Sequence, residues 1–364
     1  MIHRLVIENL KHRRLRTLLS ALSIGFQVTM ILTVVGLSRG MLEDSISRAR
    51  GVNAEVWIKP PGATAISFSA AGMPEKMLDY FRRQPHVAYV AGSVVQPIGG
   101  INTVSGIELS EFTRISGEFR FLQGGPFQSP DDIIVDDWYA RQSGKKVGDT
   151  INLLNRDWRI CGIVEAGKLA RLIVQRKTLQ DLTGNTGKLS QVFLKLDDPK
   201  NTDAVIKALK AELPDYSVWS IDEFVSLFAV SNVPGLRTFI WVIIALSIIV
   251  GFLVVSITMY TSVLERTREI GILKALGAAP TDILGLLVRE TVLLSLAGWA
   301  IGIGMSFGAN ALINSRFRAN LQSVVVPDWW LTVAAIALGA SLLGAVYPGL
   351  RAAKQDAIEA LAYE

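Results

Sequence analysis

The sequence predicts an α-helical membrane protein with four transmembrane helices and a large extracytoplasmic α+β domain of two lobes inserted between helices 1 and 2. Three observations carry this. Half of the 364 residues are hydrophobic, and they are densest in four long runs, at 17–38, 236–260, 291–313 and 329–347. About 20 apolar residues at ~1.5 Å rise each cross a ~30 Å hydrocarbon core. The segment between the first two runs, 39–235, reads like a water-soluble protein and balances 23 basic against 23 acidic residues. Basic residues instead crowd the start, where Arg4, Lys11, Arg13, Arg14 and Arg16 oppose only Glu8.

That basic start places the N-terminus in the cytoplasm. Four spans then leave 39–235 outside, a 261–290 loop inside, 314–328 outside and a 348–364 tail inside. Arg316 and Arg318 in the outer loop run against the bias. Residues 1–16 put Ile2, Leu5, Val6 and Leu10 at helical spacing. They read either as an amphipathic helix in the inner interface or as a simple basic flank. Run 1 is the least apolar, with Gln27 and several Ser and Thr, which a helix in lipid can turn toward its neighbours. A cleaved signal peptide is the other reading of run 1, but its apolar core is long for one and no A-x-A site follows.

Within 39–235, "RGMLEDSISRAR" continues span 1 as a water-exposed helix. "AEVWIKP" reads as a strand. "MPEKMLDYFRRQP" reads as a helix with Met73, Met77, Tyr80 and Phe81 on one face. "VAYVAGSVVQP" is a strand, and "DDIIVDDWYARQSGKKVGDTINLLNRDWRICGIVE" gives a strand, a short helix and a hairpin closing around Asn155–Asp157. "QVFLKL" is a strand, "NTDAVIKALKAELP" a helix with Val205, Ala208, Leu209 and Leu213 inward, and "YSVWSI" a last strand. The outer lobe is expected as an insertion at about 95–188. "DEFVSLFAVSNVPG" leads back to span 2, so both ends of the domain meet the membrane through helical stalks able to pass movement outward.

Little in the chain supports chemistry of its own. The net charge of +5 is too small to imply a nucleic-acid partner. The single cysteine, Cys161, excludes an intrachain disulfide, so the domain must fold on its core. His3, His12 and His86 form no H-E-x-x-H pattern, and neither C-x-x-C nor G-x-S-x-G occurs. "QSGKKVGDT" and "NTGKLS" lack the upstream glycine of a Walker A loop and read as turns. No catalytic residue, cofactor or metal is assigned. Asp131/Asp132 and Asp136/Asp137 flank "IIV" and read as solvated strand ends, in preference to a calcium site whose spacing they do not fit. Trp57, Trp138, Trp158 and Trp219 read as core. Trp299, Trp329 and Trp330 belong to spans, the last two at an outer aromatic belt.

Two patterns remain. Gly298, Gly302, Gly304 and Gly308 make small-xxx-small seams in span 3, for packing within the chain or between two protomers. Arg289 and Glu290 lie near the inner end of that span, from where Arg289 can snorkel. The second pattern is 263–285, "VLERTREIGILKALGAAPTDILG". Glu265 is expected to pair with Arg268 at i,i+3, and Arg266, Arg268, Glu269 and Lys274 keep the segment in water. Ile270, Leu273 and Leu276 form an apolar stripe, Gly277 ends the helix, and Pro280 with Asp282 restarts one. A plain turn needs about four residues. This connector presents a short amphipathic helix of the kind that seats in a groove.

"ERTREIGILKALGAAPTDI" closely resembles the loop after the second span of FtsX-like ABC transporter permeases of the macrolide-exporter and lipoprotein-releasing type. The basic start, "IIVDDWYARQSGKKVGDTINL" and the tail "YPGLRAAKQDAIEALAYE" agree in order, with Ala357 where the family usually has proline. The resemblance is strong at 261–291 and loose at 51–230. It implies a coupling helix seated in a separate ATPase, which binds the ATP and Mg. Glu265, Arg266, Arg268, Glu269, Ile270, Gly271, Lys274, Leu276 and Gly277 would form that contact. It implies a permease subunit of the bacterial inner membrane, paired with itself or a related permease, with both termini cytoplasmic. Its spans would transmit force to the outer domain and so export or extract an amphipathic substrate such as a lipoprotein, lipid, peptide or drug. The alternative is a non-transporting regulator of an extracytoplasmic partner such as a cell-wall hydrolase. The substrate, and any periplasmic adaptor or outer-membrane channel, are left open.

Overall fold

The computed structural model describes residues 14–64, 72–99, 102–227, 235–316 and 322–354. The expected N-terminal amphipathic segment, up to residue 13, and the last ten residues of the tail lie outside them. The chain divides into two compact units. One holds residues 40–233 and 315–322, the other the remainder.

Helix α1 (Arg14–Arg50) runs without a break from the first unit of sequence into the inserted one. There follow β1 (Val56–Lys59), β2 (Met73–Pro74), α2 (Met77–Arg82), β3 (Val87–Gly99), β4 (Asn102–Ile107) and α3 (Leu109–Ser116). Next come β5 (Phe121–Gly124), β6 (Asp132–Asp136), α4 (Asp137–Ser143), β7 (Thr150–Leu153), β8 (Arg156–Val164), β9 (Leu172–Gln175) and α5 (Arg176–Leu182). β10 (Lys188–Leu189), β11 (Gln191–Leu196), α6 (Thr202–Glu212), β12 (Ser217–Ser220) and α7 (Ile221–Ser226) complete the inserted unit.

The two expected lobes are two ends of one sheet, ordered β12-β1-β11-β3-β4-β9-β6-β8-β5, with β7 on β8. Strand β3 is shared. Its residues 87–93 pair with β11 and 93–99 with β4, so the handover falls at Ser93. Both faces are covered, which explains why β1 and β6 read as unbroken apolar runs. Alternation then sorts the side chains. Val56, Ile58, Ile133, Val135, Val192 and Leu194 enter one core, with Leu78 and Phe81 of α2, Leu179 of α5 and Leu209 of α6. Trp57, Ile134 and Phe193 enter the other, with Phe112 and Ile115 of α3, Phe224 of α7 and Ala49 of α1.

Several local expectations shift. Met73 leaves the predicted helix and pairs as a strand residue with Leu189, because α2 begins only at Met77. The hairpin turns one residue early, at Leu154–Asn155. Both take positive φ (55° and 57°), the twist that matches a two-residue connection between right-twisted strands. Helix α6 buries Ile206 where Ala208 was expected.

The other unit contains α8 (Leu236–Glu265), α9 (Thr267–Ala275), α10 (Pro280–Arg316) and α11 (Trp330–Lys354). Together with α1, helices α8, α10 and α11 are the four long and apolar enough to cross a membrane. Helix α10 starts eleven residues before the apolar run at 291, so much of the predicted loop is helical. Small residues set the packing. Thr29 Oγ1 donates to the Gly25 carbonyl at 2.7 Å and to the Gly302 carbonyl at 3.1 Å. Ser256 Oγ donates to Gly344 O at 2.9 Å, joining α8 and α11. Gln27 does turn inward, against the bare backbone of Gly251, where an added Cβ would sit 2.1 Å from its Oε1. At one end of the bundle Arg39 makes a bidentate pair with Asp328 at 2.7 and 2.8 Å.

Candidate functional site

The candidate site is the connection between α8 and α10. Its backbone is fixed by short-range chemistry. Helix α8 breaks at Arg266, with φ −111° and ψ 13°, and α9 starts at once. At its far end Gly277 takes φ +95°. The Ala278 amide reaches Leu273 O at 3.0 Å and the Gly277 amide reaches Lys274 O at 2.9 Å. This paired closure satisfies the last carbonyls of α9 and favours glycine at that position. Pro280 then opens α10, and the Asp282 carboxylate accepts from the Ala279 amide at 3.0 Å.

Three contacts strap α9 to its neighbours. Ile270 is buried with Val263, Ile283, Leu287 and Ala352. Lys274 Nζ donates to the Ala353 carbonyl at 2.6 Å. Arg266 is buried and pairs with buried Glu290 of α10, Nη1 to Oε2 at 3.2 Å. Gly271 and Thr267 face inward as well. Outward lie Glu265, Arg268, Glu269, Ile272, Leu273, Leu276 and Gly277, and Leu276 is 80% exposed. Ile272, Leu273 and Leu286 edge an apolar cleft of about 300 Å³ whose floor includes Ile270.

The predicted contact residues therefore divide. Glu265, Arg268, Glu269, Leu276 and Gly277 are presented, Lys274 is half-buried, and Arg266, Ile270 and Gly271 are turned inward. The expectation that Arg266 keeps the segment in water is corrected, because a buried carboxylate within reach draws the guanidinium inside. The helix breaks between Glu265 and Arg268, so the i,i+3 rule for one helix does not apply to them. The exposed apolar surface is Ile272, Leu273 and Leu276 rather than a stripe including Ile270. Glu290 was seen only as a residue near the end of a span. Its signal was being ionisable at the edge of an apolar run, which asks for a partner.

Residues 17–212 match the MacB-like periplasmic core domain, and residues 241–357 match the FtsX-like permease C-terminal family. The chain belongs to the MacB/FtsX family of ABC transporter permeases. This permease is 23% identical over 400 residues to the macrolide export ATP-binding/permease protein MacB of Escherichia coli, covering 99% of this chain and 60% of that protein. It is 30% identical over 232 residues to the uncharacterized ABC transporter permease MJ1507 of Methanocaldococcus jannaschii, covering 59% of this chain and 57% of that one. The permease thus spans about 60% of the length of the MacB relatives it matches. Among solved structures it is similar to the periplasmic region of MacB from Actinobacillus actinomycetemcomitans, at 16% identity and a TM-score of 0.39, covering 51% of this chain and 97% of that one. The family and the four apolar helices make it a multi-pass inner-membrane protein.

The glycine seam of the permease also divides. A Cβ on Gly298 would lie 2.6 Å from Ile24 Cβ, and one on Gly302 would lie 2.6 Å from Gly25 O and Val28 Cβ. These two serve packing of α10 on α1. Gly304 and Gly308 have nothing within 4 Å and face open space.

Of the paired aspartates Asp131 is exposed and Asp137 half-buried, but Asp132 and Asp136 are buried and so are not solvated strand ends. Burial pushes the Asp132 carboxyl up, but amide hydrogen bonds from Gln128 (2.7 Å) and Ser129 (2.8 Å) and the Arg159 guanidinium outweigh it and hold it below its ordinary value. Asp136 caps α4 through the Tyr139 amide at 2.6 Å. No group of His, Cys, Asp and Glu among the described residues is arranged to hold a metal. Burial also pushes the Cys161 thiol up to about 12, which leaves it a poor nucleophile.

For Asp136 burial prevails. Its carboxyl is pushed up to about 6 despite the Tyr139 amide and the facing Arg171 and Arg48, with Asp137 adding to the rise. Asp44 shares the same arginines. A carboxyl raised above its unfolded value of about 3.9 takes up a proton on folding. Its contribution to stability is therefore fully present below about pH 4 and is lost as pH rises through about 6. Trp138 stacks over the Arg171 guanidinium at 4.0 Å and reports on the site. Its fluorescence, defined by difference from Trp138→Phe, should show a transition centred near pH 6 that Asp136→Asn removes. A midpoint near pH 4 would contradict the assignment.

Proposed function

We propose that this permease couples ATP hydrolysis by an ABC ATPase, supplied outside these 364 residues, to movement of its inserted domain, and that this movement exports or extracts an amphipathic substrate from the outer face of the membrane. Helix α9 is the docking element for that ATPase, which binds the ATP and Mg. The N-terminus, α9 and the C-terminal end lie in the cytoplasm and the inserted domain on the far side, as the basic start of the chain favours. Two permeases, identical or related, act together.

One observation carries the reading. A short helix, capped at its end and strapped to α10 and α11, holds an apolar patch and the charges of Arg268 and Glu269 outward. Such a surface suits a groove on a partner, where apolar anchors supply affinity and rim charges set register. The strapping gives the push somewhere to go, because a displaced α9 must take α10 and α11 with it.

Reversing Glu265, Arg268 and Glu269 together, with Leu276→Asp as a second variant, should abolish co-purification of the ATPase while leaving the permease folded. Unchanged association in both variants would reject α9 as the docking element. Arg266 is left out of this test because it is buried.

A further inference from the structure

The inserted unit contains a buried charge cluster that the docking reading does not use. Arg171, in the loop before β9, is 2% exposed. Its Nη2 lies 2.8 Å from Asp44 of α1, and its Nη1 lies 3.3 Å from Asp136 at the end of β6. Arg48, one turn along α1, also reaches Asp44 at 3.1 Å. The backbone repeats the contact. The Leu169 amide donates to Arg48 O at 3.2 Å, and Gly51 approaches Gly167 so closely that a Cβ on it would fall 1.8 Å from the Gly167 carbonyl. The same loop is held from the other side by Lys168, whose Nζ donates to Ser116 O (2.8 Å), Gly117 O (3.4 Å) and Glu118 O (3.0 Å) at the end of α3.

In sequence α1 leads straight to β1. In the sheet β1 is separated from β9 by β11, β3 and β4, which at about 4.8 Å per strand is roughly 19 Å. The end of α1 therefore lies across one sheet face, with Ile46 and Ala49 in its core, and is pinned by charge at the far half.

We infer that Asp44, Arg171 and Asp136 form the joint by which α1 grips the sheet, and that motion of α1 enters the domain at β6 and β9 rather than at β1. A buried guanidinium shared by two carboxylates resists sliding, because moving either partner strands a charge in a dry site. Residues 51–55, between α1 and β1, are tied instead to β11, through Lys195 Nζ to Asn53 O at 2.8 Å and to Glu55 Oε1 at 2.7 Å. The part of the inference that concerns transport rests on the coupling reading above.

The test is hydrogen exchange on the full chain in detergent, with Arg171→Met, Arg171→Lys and Gly51→Ala. Gly51→Ala disturbs the joint without touching its charges. Arg171→Met and Gly51→Ala should speed exchange in residues 40–50 at least about tenfold and leave β1 and β12 unchanged, and Arg171→Lys should restore part of the protection. Exchange in 40–50 that does not change, or that rises equally through the sheet, would overturn the joint. Should Arg171→Met fail to fold, Gly51→Ala and Asp44→Asn decide the matter by the same signature. With the ATPase present, Arg171→Met should keep ATPase binding and lose movement of the inserted domain, read as the change in hydrogen exchange of β6 and β9 on adding ATP and Mg. A positive exchange result with unaffected movement would retain the joint and reject the coupling reading.

Discussion

Glu290→Ala should cost this permease about 3–5 kcal/mol at the junction of α8, α9 and α10, the usual effect of removing one partner of a buried ion pair. The reason is asymmetry. Arg266 is buried, and without Glu290 at 3.2 Å its charge loses its paired carboxylate in a largely apolar setting. The apolar surroundings of Ile270, Ile283 and Leu287 offer no substitute. The double variant Arg266→Met with Glu290→Leu should recover most of the loss, since a well-packed apolar pair often matches a buried ionic one. Limited trypsin cleavage at Arg268 and Lys274, together with thermal unfolding in detergent, reads the outcome. A single variant as stable and as protected as the parent would show that the pair does not hold α9 to the bundle.

Gly302→Leu and Gly298→Leu should separate α1 from α10. The new Cβ alone would sit 2.6 Å from Val28 Cβ or Ile24 Cβ, and 2.6 or 2.9 Å from backbone carbonyls that cannot rotate away. Overpacking of this kind costs about 1–3 kcal/mol, and more where backbone must move. Gly302→Leu also endangers the Thr29–Gly302 hydrogen bond. At Gly304 and Gly308 an added Cβ meets nothing within 4 Å, so Gly304→Leu and Gly308→Leu should leave the monomer folded, with a gain of up to about 1 kcal/mol in helix propensity. Size-exclusion profiles and thermal stability of the four variants check this. Equal effects at all four positions would refute the division of the seam. Loss of dimer only at Gly304 and Gly308 would place the second half of the seam between protomers.

Much of this was legible beforehand because it depends on local periodicity. Strands β1, β6, β8 and β11 carry enough branched or aromatic residues to declare themselves. The units β4–α3 and β9–α5 escaped notice. "NTVSGI" alternates small and polar residues, and "LIVQ" is too short for its period to show. Strand β9 is fixed by pairing with β4 across about 70 residues and with β6 across about 40, contacts that no local pattern encodes, while β4 joins both β9 and its neighbour β3. Asp132 and Asp136 misled for a similar reason. Carboxylates at strand ends are usually solvated, and only the return of the 128–129 amides and of Arg159 and Arg171 makes burying them affordable.

At the connection between α8 and α10 the division is the same. Caps are short-range devices, so Gly277 fixed the end of α9, and Pro280 with Asp282 the start of α10, without reference to the rest of the chain. Which of its faces is presented is a long-range matter. It was decided by Glu290, 24 residues from Arg266, and by the Ala353 carbonyl, 79 residues from Lys274. The sequence by itself determined that four apolar helices and an inserted α/β domain follow one another in this order, and that a capped helix joins α8 to α10. The reason is that hydrocarbon thickness, helical pitch and terminal capping act on contiguous residues. Only the tertiary structure decided that Arg266 is buried against Glu290, that half the glycine seam is spent within the chain, and that Asp44 of α1 pairs with Arg171 beside β9. Burial and charge pairing depend on which distant residues arrive opposite one another.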